Sequence, residues 1–226
     1  MGRLLFVTQP FPVWVVHSPR LARRREECLA ALETLGWTAR WMERPESSDL
    51  GLAFWMRRVR NPRLTRGEVS VYAKHEALLD RIGQEGQPAL VLEDDPIFGH
   101  DFARRSEPYF AGLPKDWAFV FLGASCGLER PPDPDLGRFA RVSATRSMSG
   151  YLVTPEAARV VSRSLRDKPI RAPIDLTVNG IIQDLDLRVF WSVPALIENG
   201  SESGHFARAI TGGRWRGLNP LRFFRS

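Results

Sequence analysis

The chain has 226 residues, 43% of them hydrophobic and 26% charged, with a formal charge of +6 and a pI near 10.0. That hydrophobic content excludes a disordered chain, and glycines and prolines scattered without a period exclude collagen-like and solenoid forms. With only Cys28 and Cys126, a disulfide scaffold and a paired-cysteine metal site are excluded, and a reducing, cytoplasmic setting is expected.

The apolar stretch Leu4 to Val16 is interrupted by Gln9, Pro10 and Pro12, so it falls short of the roughly 20 residues that cross a bilayer. It also lacks the small-residue cleavage site of a secretory signal. Pro12 to Val16 reads as a strand, and Arg20 to Leu35 as a helix closed by Gly36. Trp37 to Met42 is a second strand. From Arg44 to Leu64 the chain is polar, arginine-rich and punctuated by Pro45, Gly51 and Pro62, a long excursion of the kind that often carries function.

Thr65-Arg66-Gly67-Glu68 has the spacing of a capping box and predicts a helix to about Ile82, with Glu68, Tyr72, His75 and Leu79 on one face. Gly83 to Pro88 is expected to break it. Ala89 to Leu92 is a buried strand running into Glu93-Asp94-Asp95-Pro96. Trp117 to Gly123 is another, followed by a proline-rich loop at Pro131, Pro132 and Pro134. Tyr151 to Thr154 is a strand, Pro155 to about Leu165 a helix, and Ile174 starts a further helical piece. Leu187 to Trp191 is the last strand, and Leu196 to His205 reads as a polar loop. Strands alternating with helices predict a single α/β domain over 1–206, its mixed, mainly parallel sheet flanked by helices. A basic, aromatic tail follows over 207–226.

Acids at the carboxyl end of a buried strand sit where α/β sheets bind ligands. Glu93, Asp94 and Asp95 repel one another unless a cation neutralises them, and all-oxygen ligands suit Mn2+ or Mg2+. In an extended segment Glu93 and Asp95 share a face and Asp94 points away. The competing reading is a turn and helix cap. A phosphoacceptor receiver domain is disfavoured, because the strand Trp117 to Gly123 carries no acid to accept a phosphoryl group.

Five segments, in order, resemble glycosyltransferase family 25, the lipooligosaccharide and procollagen galactosyltransferase group. They are the strand Val13 to Val16 with Arg20 and Arg24-Arg25-Glu26, then Leu64 to Val69 with Lys74-His75, then Ala89 to Asp95. Gly150 to Thr154 with Ala157-Ala158, and Pro173-Ile174-Asp175, complete the set. The chain departs from the family pattern at His17-Ser18-Pro19, at Lys74 in place of serine, and at Trp117-Ala118.

The resemblance implies a GT-A-like nucleotide-sugar fold, a UDP-sugar donor, a glycan or glycolipid acceptor and metal-dependent transfer with inversion. It implies a metal held by Asp95 and Glu93, with the late His205 as a further ligand, and a donor site bordered by Arg24, Glu68, His75, Glu93 and Asp94. An acceptor-side carboxylate must serve as base; Asp175 is the first candidate and Glu198 another, while Asp175 also suits a helix cap. Trp55 and Trp215 are the tryptophans expected to stack on sugar or sit at a lipid headgroup, and the tail suits an anionic membrane at its inner face. A non-catalytic sugar-nucleotide- or glycan-binding relative is the alternative. The arginines also admit a nucleic-acid binder, but no helix-turn-helix, RNA-recognition or zinc-finger signature accompanies them.

Overall fold

A computed structural model describes residues 9–124 and 130–207. The expectations for the start of the chain, for Cys126, for Trp215 and for the tail beyond Ala207 lie outside the described residues. The first half contains β1 (Val13–Val16), α1 (Ala22–Thr34), β2 (Ala39–Met42), α2 (Leu52–Arg58), α3 (Arg66–Glu85), β3 (Ala89–Glu93) and β4 (Pro96–Phe98). The second contains α4 (Phe102–Ala111), β5 (Phe119–Phe121), β6 (Gly123–Ala124), β7 (Phe139–Val142), β8 (Gly150–Val153), α5 (Pro155–Asp167), α6 (Ile174–Asp184), β9 (Val189–Ser192) and β10 (Ile197–Asn199).

Seven strands form the central sheet in the order β2-β1-β3-β8-β5-β9-β7. β2, β1, β3, β5 and β9 run one way, and β8 and β7 run the other. This is the mixed, mainly parallel sheet expected. Successive side chains of a strand point to opposite faces. Val13 and Val15, with Leu90 and Leu92, therefore pack under α1 and α4, while Trp14, Val16, Ala89 and Val91 pack under α3, α5 and α6. Because helices cover both faces, the strands are continuous apolar runs rather than alternating ones.

α3 outlasts its expected end. Gly83 lies inside it, where a Cβ would come within 3.1 Å of the Arg159 backbone on α5, so glycine lets the two helices approach closely. The helix stops at Gly86, whose left-handed φ of 72° no bulky residue adopts easily. Other expectations need correction. The strand over Trp117 to Gly123 divides into β5 and β6, the polar loop from Leu196 contains β10, and the excursion contains α2. α4 and β7 have no counterpart in the sequence reading; Pro108 inside α4 breaks the helical pattern there. Trp55 is packed against the core and donates from Nε1 to the Leu50 carbonyl at 3.0 Å, so it is not a free stacking surface.

A small second sheet, β4-β10-β6, closes one corner, with β10 antiparallel to β4 and parallel to β6. The chain leaves β1 through α1 on one face of the main sheet and returns to β3 through α3 on the other. The crevice between the carboxyl ends of β1 and β3 is thus a topological switch point, where open α/β sheets bind ligands.

Candidate functional site

The acidic tripeptide ends β3 in that crevice. Glu93 is the last strand residue, and its Oε1 lies 3.8 Å from His75 Nε2 on α3. The chain bends at Asp94, so the extended alternation stops there. Asp94 and Asp95 consequently turn together toward α1, where Arg24 Nη1 donates to Asp94 Oδ1 at 3.1 Å and to Asp95 Oδ2 at 3.2 Å. The expectation that Asp94 points away from Asp95 is corrected: the bend brings both aspartates to one guanidinium, while Glu93 stays near enough for its charge to act on Asp95.

Both aspartates are buried, and Arg24 is only 8% exposed. Asp94 Oδ2 accepts from His17 Nδ1 at 2.7 Å. Burial, followed by the charge of Glu93, raises the Asp95 carboxyl above its usual range, against the lowering by Ser201 and Arg24. Behind them, burial and then the two aspartates push the Cys28 thiol up to about 12, so it stays protonated and inert.

Residues 199–207 latch onto this cluster. Asn199 Nδ2 donates to Asp95 Oδ1 at 3.4 Å, Ser201 N to Oδ2 at 3.0 Å, and the Ser201 hydroxyl to the same oxygen. Gly200 N donates to the Asp95 carbonyl at 2.8 Å. A Cβ on Gly200 would come within 2.8 Å of the Phe206 ring and 3.0 Å of that carbonyl, so only glycine lets the strands close. Arg24 Nη2 donates to Ser201 Oγ at 2.7 Å and to the Ala207 carbonyl at 2.8 Å, with the Phe206 ring 5.2 Å away.

A cavity of about 600 Å³ opens beside the latch, lined by residues that include His17, Arg20, Arg24, Glu46, Arg66, Lys74, Glu93 to Asp95 and Ser201. Its floor holds an ion pair that sequence reasoning missed. Lys74, 1% exposed, pairs with Glu46, 7% exposed, and Ser18 Oγ donates to the same carboxylate at 3.1 Å. Lys74 is thus matched by an acid 28 residues upstream, which only folding brings near. Arg66, in the first turn of α3, makes no ion pair among the described residues and faces the cavity. A second depression, near Trp117, Thr154 and Leu187, lies at the amino ends of β5 and β9 and has no comparable charge cluster.

Glu68 completes the expected capping box, accepting from Thr65 N at 2.7 Å while Glu68 N donates to Thr65 Oγ1 at 3.2 Å. His75 is fully buried; its Nδ1 lies 3.0 Å from the Tyr151 hydroxyl, and its Nε2, without a hydrogen bond, points at Glu93. Asp175 is in the first turn of α6. Burial raises its carboxyl above the usual range, and Glu93 and then Glu68 add to the rise as neighbouring charges, while backbone N–H groups oppose it. Asp175 therefore senses the charges of Glu93 and Glu68, and His75 lies beside Glu93.

Two expected site residues are elsewhere. Glu198 is exposed on β10, and strand alternation turns it away from the face on which Asn199 meets Asp95. His205 Nε2 donates to Glu27 on α1 at 2.7 Å and does not join the aspartates. Among the described residues no three His, Cys, Asp or Glu side chains converge to hold a metal ion. The donor set as folded does not fit Mn2+ or Mg2+, because Arg24 already bridges Asp94 and Asp95 and five further donors occupy those carboxylates.

No protein-family model matches the chain, and no curated protein sequence matches it significantly. Among solved structures it is similar to that of "a glycosyltransferase involved in the glycosylation of the major capsid of PBCV-1", at 11% identity and a TM-score of 0.50. The match covers 83% of this chain and 91% of that one. The fold is GT-A-like. At this identity the likeness is one of fold, and it puts the switch-point cavity in an architecture that a glycosyltransferase uses. Among the described residues no helix is long and apolar enough to cross a membrane.

Proposed function

We propose that the chain transfers a hexose, with galactose favoured, from a UDP-sugar to a cell-surface glycan or lipooligosaccharide, inverting the anomeric carbon. The observation that carries this reading is the cavity at the β1–β3 switch point, where a clamped acidic strand end shares the lining with exposed Arg20 and with Arg66, which makes no ion pair among the described residues. A nucleotide sugar breaks its bond between the anomeric carbon and the diphosphate oxygen, so negative charge grows on the leaving diphosphate. Arg20, Arg66 and the positive amino end of α3 are suited to stabilise that charge.

The acceptor oxygen forms the new bond from the opposite side, and its proton passes to a carboxylate. Asp175 suits that role, because its raised affinity for a proton brings it closer to neutrality than an exposed aspartate, and it is near enough to Glu93, in the cavity lining, to feel that charge. His75 and Glu68 would keep that wall in place. The tail 207–226, basic and aromatic in sequence, suits an anionic membrane that carries a glycolipid acceptor.

Thermal unfolding with a panel of nucleoside diphosphates tests the donor assignment. A ligand at one hundred times its Kd adds about 2.7 kcal/mol, which for a chain of this length is a rise of roughly 5–10 °C. UDP is expected to give it. If no nucleoside diphosphate raises the melting temperature, the donor site is misassigned. Transfer itself is read by UDP release from UDP-galactose in the presence of a lipooligosaccharide fraction.

A further inference from the structure

Arg24 occupies a position that costs energy twice over. It is a buried cation, and it lies in the first turn of α1, where the helix dipole disfavours positive charge. Its compensation is specific. Nη1 spans one oxygen of Asp94 and one of Asp95, Nη2 is held by Ser201 Oγ and the Ala207 carbonyl, and Phe206 covers the guanidinium. The other Asp94 oxygen is taken by His17 Nδ1, and Asn199 reaches the other Asp95 oxygen. A divalent ion coordinated by these aspartates would lie against the guanidinium charge, in a place where the counter-cation is already covalently part of the chain.

We infer that Arg24 is the resident counter-cation of the acidic strand end, and that this chain takes up a nucleoside diphosphate without a divalent metal ion. The inference rests on the donor-site reading above and concerns how that site balances its charge. Arg24 fixes the two aspartates and the latch, leaving the phosphates to Arg66, which makes no ion pair among the described residues, and to Arg20, both in the cavity lining.

Isothermal titration of the full chain with UDP, in EDTA and then in Mn2+, tests this. The wild-type Kd is expected to agree within about twofold between the two conditions. Arg24→Met removes the guanidinium, and this variant is expected to bind free Mn2+, read by loss of the aqueous Mn2+ EPR signal, which the wild type leaves unchanged. Arg24→Lys keeps a positive charge and is expected to leave that signal unchanged as well. Should Arg24→Met not fold, the wild-type titration and EPR signal decide alone. UDP binding that appears only with Mn2+, or wild-type depletion of the Mn2+ signal, overturns the inference and leaves the donor-site reading standing. Binding under neither condition overturns both.

Discussion

Replacing Lys74 with methionine tests whether the cavity floor is built on a buried charge pair. The ammonium is 1% exposed and bonds to Glu46, which is 7% exposed, so removal leaves a carboxylate with Ser18 Oγ at 3.1 Å and Arg20 Nε at 3.7 Å. Breaking one side of a buried pair costs about 3–5 kcal/mol. Arg20 is a weak substitute, since two-thirds of its side chain is in solvent, but it can swing inward, which places the expected loss near 3 kcal/mol at the low end of that range. For a chain of this length the melting temperature should fall by roughly 6–12 °C. Urea denaturation monitored by circular dichroism gives the free energy directly, provided the slope is unchanged. The double variant Glu46→Gln with Lys74→Met should recover at least half of the loss, because no buried charge is then left unpaired. A single-variant cost under about 1 kcal/mol, or a double variant whose losses simply add, would refute the pair as a structural element.

Thr65→Ala removes the side-chain cap of α3 and should cost about 1 kcal/mol in the same denaturation experiment; an unchanged midpoint would mean the box is not formed. Gly200→Ala forces a methyl against Phe206 and the Asp95 carbonyl, and should cost about 1–3 kcal/mol and weaken UDP binding; unaltered affinity would separate the latch from the cavity. Asp175→Asn should leave UDP binding intact and abolish transfer. Its stability has a defined pH dependence. The folded chain holds the Asp175 proton more tightly than the unfolded chain, whose carboxyl titrates near 3.8, so wild-type stability falls as pH rises through the raised value. Asn carries no charge, so the variant should be more stable than wild type at neutral pH, and the gain should vanish below pH 3.8. A gain that persists in acid would assign the effect to something other than ionisation.

Local order was legible because it depends on neighbours in the chain. Apolar runs at Val13 to Val16 and Ala89 to Leu92 marked the inner strands, Thr65 and Glu68 marked the start of α3, and acids after a buried strand pointed to the ligand-binding end of the sheet. α4 and β10 were not legible, since a proline inside a helix and a polar three-residue strand look like loop without their partners. Trp55 could not be told from a stacking surface until its neighbours were known.

Which charges meet which was decided by the tertiary structure alone. Asp94 and Asp95 find Arg24, 70 and 71 residues upstream, because the backbone bends after β3; His205 finds Glu27 instead of the aspartates, and Lys74 finds Glu46 across the excursion. Sequence could name the acids and the arginines and state that a cation must balance them. A buried charge takes whichever opposite charge the packing of distant segments brings within reach, and that packing is a property of the whole fold.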